Sequence, residues 1–325
     1  MKKLIAILTL IICILCFPAC KQDGETLSVY APDGAPALSL SYAISSKIDG
    51  VCFNIVGADV IKSTVSGKDK KADIAILPIN DATTILGGGE DYKLLGVVTH
   101  GNFYLLSREN TAISRENASL LIGKTVGVVQ LAKIPGLTFK ASLNGLNLGY
   151  NELSNGKEKV EDKVNLLAIT PNEIGRNDVD YYLCPSPVAD LKAKALNLNF
   201  VSSLSSLYNG EGFPQAVIVA KNKVISENFE KVKEIISRIK QSESFIKEEN
   251  FPLILDSINS CLEEGLTPSF NQNNLTSLSV ERSKIKFVSA KNSKAEIEEF
   301  ISKINGIMPN VLGSVSENFY YLGEF

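Results

Sequence analysis

His100 is the only histidine in the chain, and that count removes several chemistries at once. A zinc site of the H-E-x-x-H type needs two imidazoles on one helical face, and a histidine-based triad has a single candidate base. No G-x-S-x-G elbow is present: Gly313-Ser314-Val315-Ser316 has the serines without the second glycine. Gly123-Lys124-Thr125 ends like a phosphate loop, yet the upstream glycine of that motif is replaced by Ala118, so it reads as a turn entering a strand. The pairs Glu263-Glu264 and Glu298-Glu299 read as solvated surface charge. What remains is a set of short loops suited to holding a molecule rather than breaking one. They are Asp33-Gly34-Ala35-Pro36, Pro78-Ile79-Asn80-Asp81, Thr99-His100-Gly101, Ile134-Pro135-Gly136 and Cys184-Pro185-Ser186-Pro187.

Each of these loops joins a strand-like run to the next element of the chain. "TLSVYA", "GVCFNIVG" and "ADIAILPIN" read as strands, and "PALSLSYAISSKI" and "ADVIKSTVSG" as helices. "DYKLLGVVTHGNFYLLS" is a long apolar stretch interrupted at His100-Gly101-Asn102. A second alternation begins at "KTVGVVQ", and "FPQAVIVAKN" returns as a strand. Alternation of this kind predicts an α/β protein. The mature length suits two lobes, with residues 27–102 plus 216–325 in lobe 1 and 103–215 in lobe 2. Each lobe is expected to hold a mixed, mostly parallel sheet flanked by helices, with two hinge strands between them and a cleft beneath. Phe229, Val232, Ile235, Ile236 and Ile239 form one helical stripe; Ile297, Phe300, Ile301 and Ile304 form another, preceded by a capping-box pattern at Ser293 and Glu296. Both stripes read as core. Gly87-Gly88-Gly89 reads as a flexible helix end and loop.

Ligands of open α/β sheets bind beyond the carboxyl ends of the strands, where helix N-termini present unpaired N–H groups. The Asp33-Gly34 turn is therefore either a cleft wall or a plain strand-to-helix connection. Asn80 has the residue type of a helix cap, and His100 is either a hydrogen-bonded hinge residue or a ligand contact. The arginines, Arg108, Arg115, Arg176, Arg238 and Arg282, all lie outside these loops. That argues against an amino-acid ligand held by an arginine fork and leaves room for a small anion on helix N-termini. Tyr30, Phe103, Tyr181, Tyr182 and Phe213 either stack on a flat heterocycle or fill the core.

The chain begins with two lysines and an apolar run from Leu4 to Phe17, shorter than a bilayer span, which reads as an export signal over residues 1–19. Phe17-Pro18-Ala19-Cys20 resembles a bacterial lipobox, although Phe stands where that pattern favours Leu. Cys20 would then carry lipid and residues 20–26 would form a tether; an ordinary secretory signal with an incidental cysteine is the alternative. Net charge is −3, which gives no electrostatic case for nucleic acid. Cys52, Cys184 and Cys261 are odd in number and widely spaced, so buried thiols are expected in place of a disulfide framework.

"APDGAPALSLS", "ADIAILPINDATTIL", "GFPQAVIVAKN", "IKFVSAKNSKAEIEEFI" and the ending "SENFYYLGEF", in this order, resemble lipid-anchored solute-binding proteins of bacterial ABC importers. The group is the nitrate, sulfonate and thiamine-precursor type with the type II periplasmic-binding fold. That resemblance implies a ligand between two α/β lobes, delivery to a membrane permease, a monomer anchored at the outer face of the cell membrane, and neither cofactor, metal nor catalytic residue. Carried over position by position, it points to Asp33, Gly34, Ala35, Asn80, His100, Gly101, Pro135, Gly136, Ser186 and Pro214 as cleft positions. Ser186 stands where related proteins often have an acidic residue. Two other readings stay open: an enzyme on the same fold, of the pyrimidine or menaquinone-precursor synthesis type, and a surface sensor without transport.

Overall fold

The structure is a computed structural model that describes residues 26–153 and 158–325; the predicted signal, the expected lipidation site Cys20 and most of the expected tether lie outside the described residues. β1 (Leu27–Pro32) runs into α1 (Ala35–Ser39) and α2 (Ser41–Ser45). β2 (Val51–Val56), α3 (Ile61–Val65), β3 (Ile74–Pro78), α4 (Ile79–Leu86) and β4 (Tyr92–Thr99) come next. The chain then crosses to β5 (Phe103–Ser107), β6 (Thr125–Val129), α5 (Ile134–Gly145), β7 (Tyr150–Glu152), β8 (Val164–Ile169), β9 (Tyr181–Pro185), α6 (Val188–Leu196), β10 (Asn199–Ser203) and α7 (Leu204–Tyr208). It returns through β11 (Ala216–Lys221), α8 (Asn222–Glu227), α9 (Phe229–Phe245), α10 (Phe251–Ser260), α11 (Ser277–Arg282), β12 (Ile285–Ser289) and α12 (Ala290–Ile307).

Among the described residues the strands form two six-stranded sheets, ordered β12-β4-β11-β3-β1-β2 and β10-β5-β9-β6-β8-β7. The apolar stretch from Asp91 to Ser107 is therefore split between the sheets at His100-Gly101-Asn102. Both sheets are mixed. Parallel pairing occupies the half of each sheet away from the crossings, β3-β1-β2 and β9-β6-β8-β7, and the strands next to the crossings pair antiparallel. β5 and β11, the first strands entered after each crossing, run against both of their neighbours.

Helix ends differ from the sequence reading in two places. Ser293 does not cap α12: the helix starts at Ala290 with Ser289 as its N-cap, and the buried Ser293 hydroxyl donates to the Ser289 carbonyl at 3.0 Å. The glycine triplet after α4 is partly clamped, since a Cβ on Gly87 would lie 2.4 Å from the Thr83 oxygen and 2.5 Å from that of Ser314. Of the three free thiols only Cys184 is buried; Cys52 is exposed and Cys261 half-buried, against the expectation of buried thiols.

The two apolar stripes pack inward except at their margins, where Ile301 is half-buried and Phe229 is half-buried and stacks on Phe325 outside the buried cluster. Val232, Ile235, Ile236 and Ile239 are buried in a cluster on one face of the first sheet, with Ile44 of α2 and Ile254 of α10. Ile297, Phe300 and Ile304 of α12 belong to another cluster, and this one extends into the second lobe through Leu131, Ile134, Leu137 and Phe213. Phe300 stacks on Phe213 with ring centroids 5.6 Å apart and meets the edge of Tyr208 at 6.0 Å. The lobes share one apolar core on the α12 side. No helix among the described residues is long and apolar enough to cross a membrane.

Candidate functional site

Strand register places the candidate loops on two facing edges. In the first sheet Ala216 at the start of β11 pairs with Pro78 at the end of β3 and with Thr99 at the end of β4, and β1 runs parallel to β3. The turns after Pro32, Pro78 and Thr99 and the segment before Ala216 thus lie along one edge. In the second sheet Phe103 at the start of β5 pairs with Pro185, and Val128 near the end of β6 pairs with Leu183. The loops at Gln130–Gly136 and Ser186, and the entry from Asn102, lie along the other. The two crossings hold these edges together, so all ten expected positions fall on one or the other.

Most of the ten already have structural partners. The Asp33 carboxylate accepts the Ser269 N–H at 2.6 Å, tying the β1 turn to a loop of the same lobe. Gly34 has φ of 95° and N-caps α1, a conformation that L residues avoid; Ala35 follows it, buried, and Pro36 sits in the first turn as predicted. Asn80 is not a cap. It lies inside the first turn of α4 and donates its side-chain N–H to Asp81 at 3.0 Å. Asp81 is half-buried, and that burial raises its carboxyl above the ordinary range against the opposing pull of Lys62 and Lys133. Because Lys133 belongs to the second lobe, the two edges approach each other here.

Pro135 and Gly136 are buried in the first turn of α5, and a Cβ on Gly136 would lie 2.1 Å from the Leu131 oxygen, so glycine is needed there for packing. Pro214 is buried beside Phe213. Gly101 has φ of 81°, and a Cβ there would lie 2.4 Å from the Phe213 ring. Ser186 donates to Asp190 at 2.6 Å and exchanges two 2.9 Å hydrogen bonds with Asn102.

His100 behaves differently. Its Nε2 lies 3.1 Å from the Lys286 carbonyl oxygen, and burial, assisted by the Lys286 charge, holds the imidazole below its ordinary pKa. The ring lines a cavity of about 590 Å³ with Glu211, Glu296, Lys284 and Ile285, beside β12 at the sheet edge. None of the other nine positions lines that cavity. Glu296 is raised by burial first and then by the nearby Glu211 and Glu299 carboxylates. Of the aromatic residues considered for stacking, Phe103, Tyr181, Tyr182 and Phe213 are buried core, and Tyr30 is half-buried.

Every arginine is engaged. Arg108 donates to the Gly175 oxygen, Arg115 to those of Leu207 and Tyr208, Arg176 pairs with Glu173 and Asp178, Arg238 with Tyr42 and Glu234, and Arg282 with Asp190. Sequence reasoning passed over Asn102 and Asp81, although both lie in segments it marked, and missed Gln215, which links the crossings through Asn102, as well as Asp190 and Lys133. A faint signal existed for Asp190, four residues after Ser186 and so one helical turn along. No group of His, Cys, Asp and Glu is placed to hold a metal among the described residues.

The architecture is the two-lobed α/β fold of periplasmic binding proteins. An ABC transporter structure from Parabacteroides distasonis superposes with a TM-score of 0.67 at 18% identity, covering 92% of this chain and 99% of the other. The periplasmic aliphatic sulphonate binding protein SsuA from Escherichia coli gives 0.61 at 13% identity, covering 93% and 96%. The ligand binding component of an ABC-type import system from Staphylococcus aureus, solved with zinc bound, gives 0.58 at 9%, covering 92% and 97%. No family model and no curated protein matches the sequence. Identities this low establish the fold and leave function to the site.

Proposed function

We propose that the chain is the extracytoplasmic solute-binding component of an ABC importer, taking a small organic solute or anion between its lobes and delivering it to a permease. The observation that carries this reading is the register: two sheets present the carboxyl edges of their parallel strands to each other across a pair of crossings. Such edges converge helix N-termini and glycine turns on the space between them, the place where open α/β sheets take their ligands. With every arginine engaged, an anionic ligand would rest on backbone N–H groups at the starts of α4 and α5, together with Lys133. Neighbouring proteins named for ABC import and sulphonate binding support the same reading. Anchoring through Cys20, a monomeric state and the absence of catalysis belong to the proposal, as does contact with solute by the ten positions.

The test begins with a thermal-shift screen of the mature protein against sulfonates, pyrimidines, vitamins and small anions. A ligand present at a hundred times its Kd adds about 2.7 kcal/mol to apparent stability. With a ligand in hand, Asn80→Ala and Lys133→Ala are expected to weaken binding about tenfold each while leaving the melting temperature of the free protein within a degree or two, as exposed or half-buried positions do. If Glu296→Gln or Lys284→Ala removes binding and the two loop variants do not, the solute sits in the cavity beside β12 and the interlobe reading fails.

A further inference from the structure

We infer that Arg282 is a lobe-spanning positioning residue: from lobe 1 it fixes Asp190, Asp190 fixes the Ser186 loop of lobe 2, and this contact is the one that breaks when the lobes part. Arg282 ends α11 and forms an ion pair with Asp190 of α6, the two side chains being 21% and 15% exposed. Its guanidinium carbon lies 3.5 Å from the centroid of the Phe200 ring, and its carbonyl accepts the Tyr104 hydroxyl at 3.1 Å. Phe200 and Tyr104 both belong to the second sheet. The planar group stacks and donates at once, which a lysine ammonium cannot do.

From Asp190 the chain of hydrogen bonds continues without a gap. Ser186 donates to Asp190, and Asn102 holds Ser186 from the first crossing. Gln215, from the second crossing, exchanges two 2.9 Å bonds with Asn102. A helix of lobe 1, a loop of lobe 2 and both crossings are thereby linked in one polar network. The α12 side is joined by apolar contacts only loosely dependent on direction, such as Phe300 on Phe213. Hydrogen-bonded ions have no such latitude, because a half-separated pair leaves charge buried without a partner. The polar side is therefore made or broken, and the apolar side can serve as the pivot.

The experiment needs no ligand, so its failure would leave the solute-binding reading separately testable. Ala58, in the turn after β2, and Asn172, in the short 3-10 helix after β8, are exposed residues at the carboxyl edges of the two sheets. Spin labels at Ala58→Cys and Asn172→Cys, in a Cys52→Ser, Cys261→Ser background, report the interlobe distance by double electron–electron resonance. Arg282→Ala and Asp190→Asn are each expected to raise the population of longer distances at least about fivefold, the weight of about 1 kcal/mol. Arg282→Lys should give a smaller shift, and the double variant no more than the larger single one. Amide exchange at 184–190 should speed up in the same variants. Unchanged distances in folded Arg282→Ala, or additive shifts in the double variant, overturn the inference. Should Arg282→Ala fail to fold, Asp190→Asn and Phe200→Leu decide it by the same distances.

Discussion

His100 shows how much one residue can report. Its ring is held neutral because burial penalises the imidazolium more than the bond to the Lys286 carbonyl favours it. The folded pKa is depressed, so the unfolded chain takes up the proton first as pH falls. The stability that His100 contributes is present above about pH 6.5 and is lost as pH drops through the folded value. His100→Gln should therefore lower the melting temperature more at pH 8 than at pH 5. The chain has one imidazole, so its proton resonances should titrate as a single curve below 6.5. A midpoint at or above 6.5 would mean that the ring is not desolvated as described. The residue type alone left hinge and ligand roles open; the Lys286 contact arises from β12, some 186 positions away in sequence, and no local pattern encodes it.

At the scale of elements, alternation and periodicity were legible because they are local. The stripes in α9 and α12, the strand interrupted at His100 and the Gly34-Pro36 helix start are all set by spacing within one turn or one strand. Partners supplied from far along the chain were not legible: Asn102 with Gln215, Asp190 with Arg282, and the clamped Gly87. The Ser293 pattern misled because the helix already begins at Ala290, which leaves Ser293 interior; Ser289 ends the strand and occupies the N-cap position without a side-chain bond. The crossings depend on one such long-range contact. At Gly101 a methyl group would meet the Phe213 ring in a left-handed backbone conformation, whereas at Gly210, with φ of 91°, nothing lies within 4 Å of the added carbon. Gly101→Ala should thus cost about 2–4 kcal/mol, combining backbone strain and overpacking, and Gly210→Ala about 1 kcal/mol from strain alone. Urea midpoints of the two variants measure the difference; equal losses would remove Phe213 from the account.

For the molecule as a whole, the shared core decides how the lobes respond to stress. Two lobes joined only by chain crossings would melt separately, each with its own midpoint. Here Phe300 of lobe 1 stacks on Phe213 at the second crossing and meets Tyr208 of lobe 2, and the cluster runs on through Leu131 and Ile134 without leaving apolar contact. Unfolding either lobe exposes apolar surface of the other, which couples the two transitions. Calorimetry of the ligand-free protein should then show one endotherm, with calorimetric and van't Hoff enthalpies in agreement. Phe300→Ala deletes the ring at the centre of that junction, at a cost of about 3–5 kcal/mol. The loss should also weaken the coupling, so the variant's endotherm should broaden or divide, with the van't Hoff enthalpy falling below the calorimetric one. A divided endotherm in the unaltered protein would mean that the lobes are thermodynamically separate and that the apolar side is a contact surface, not a common core.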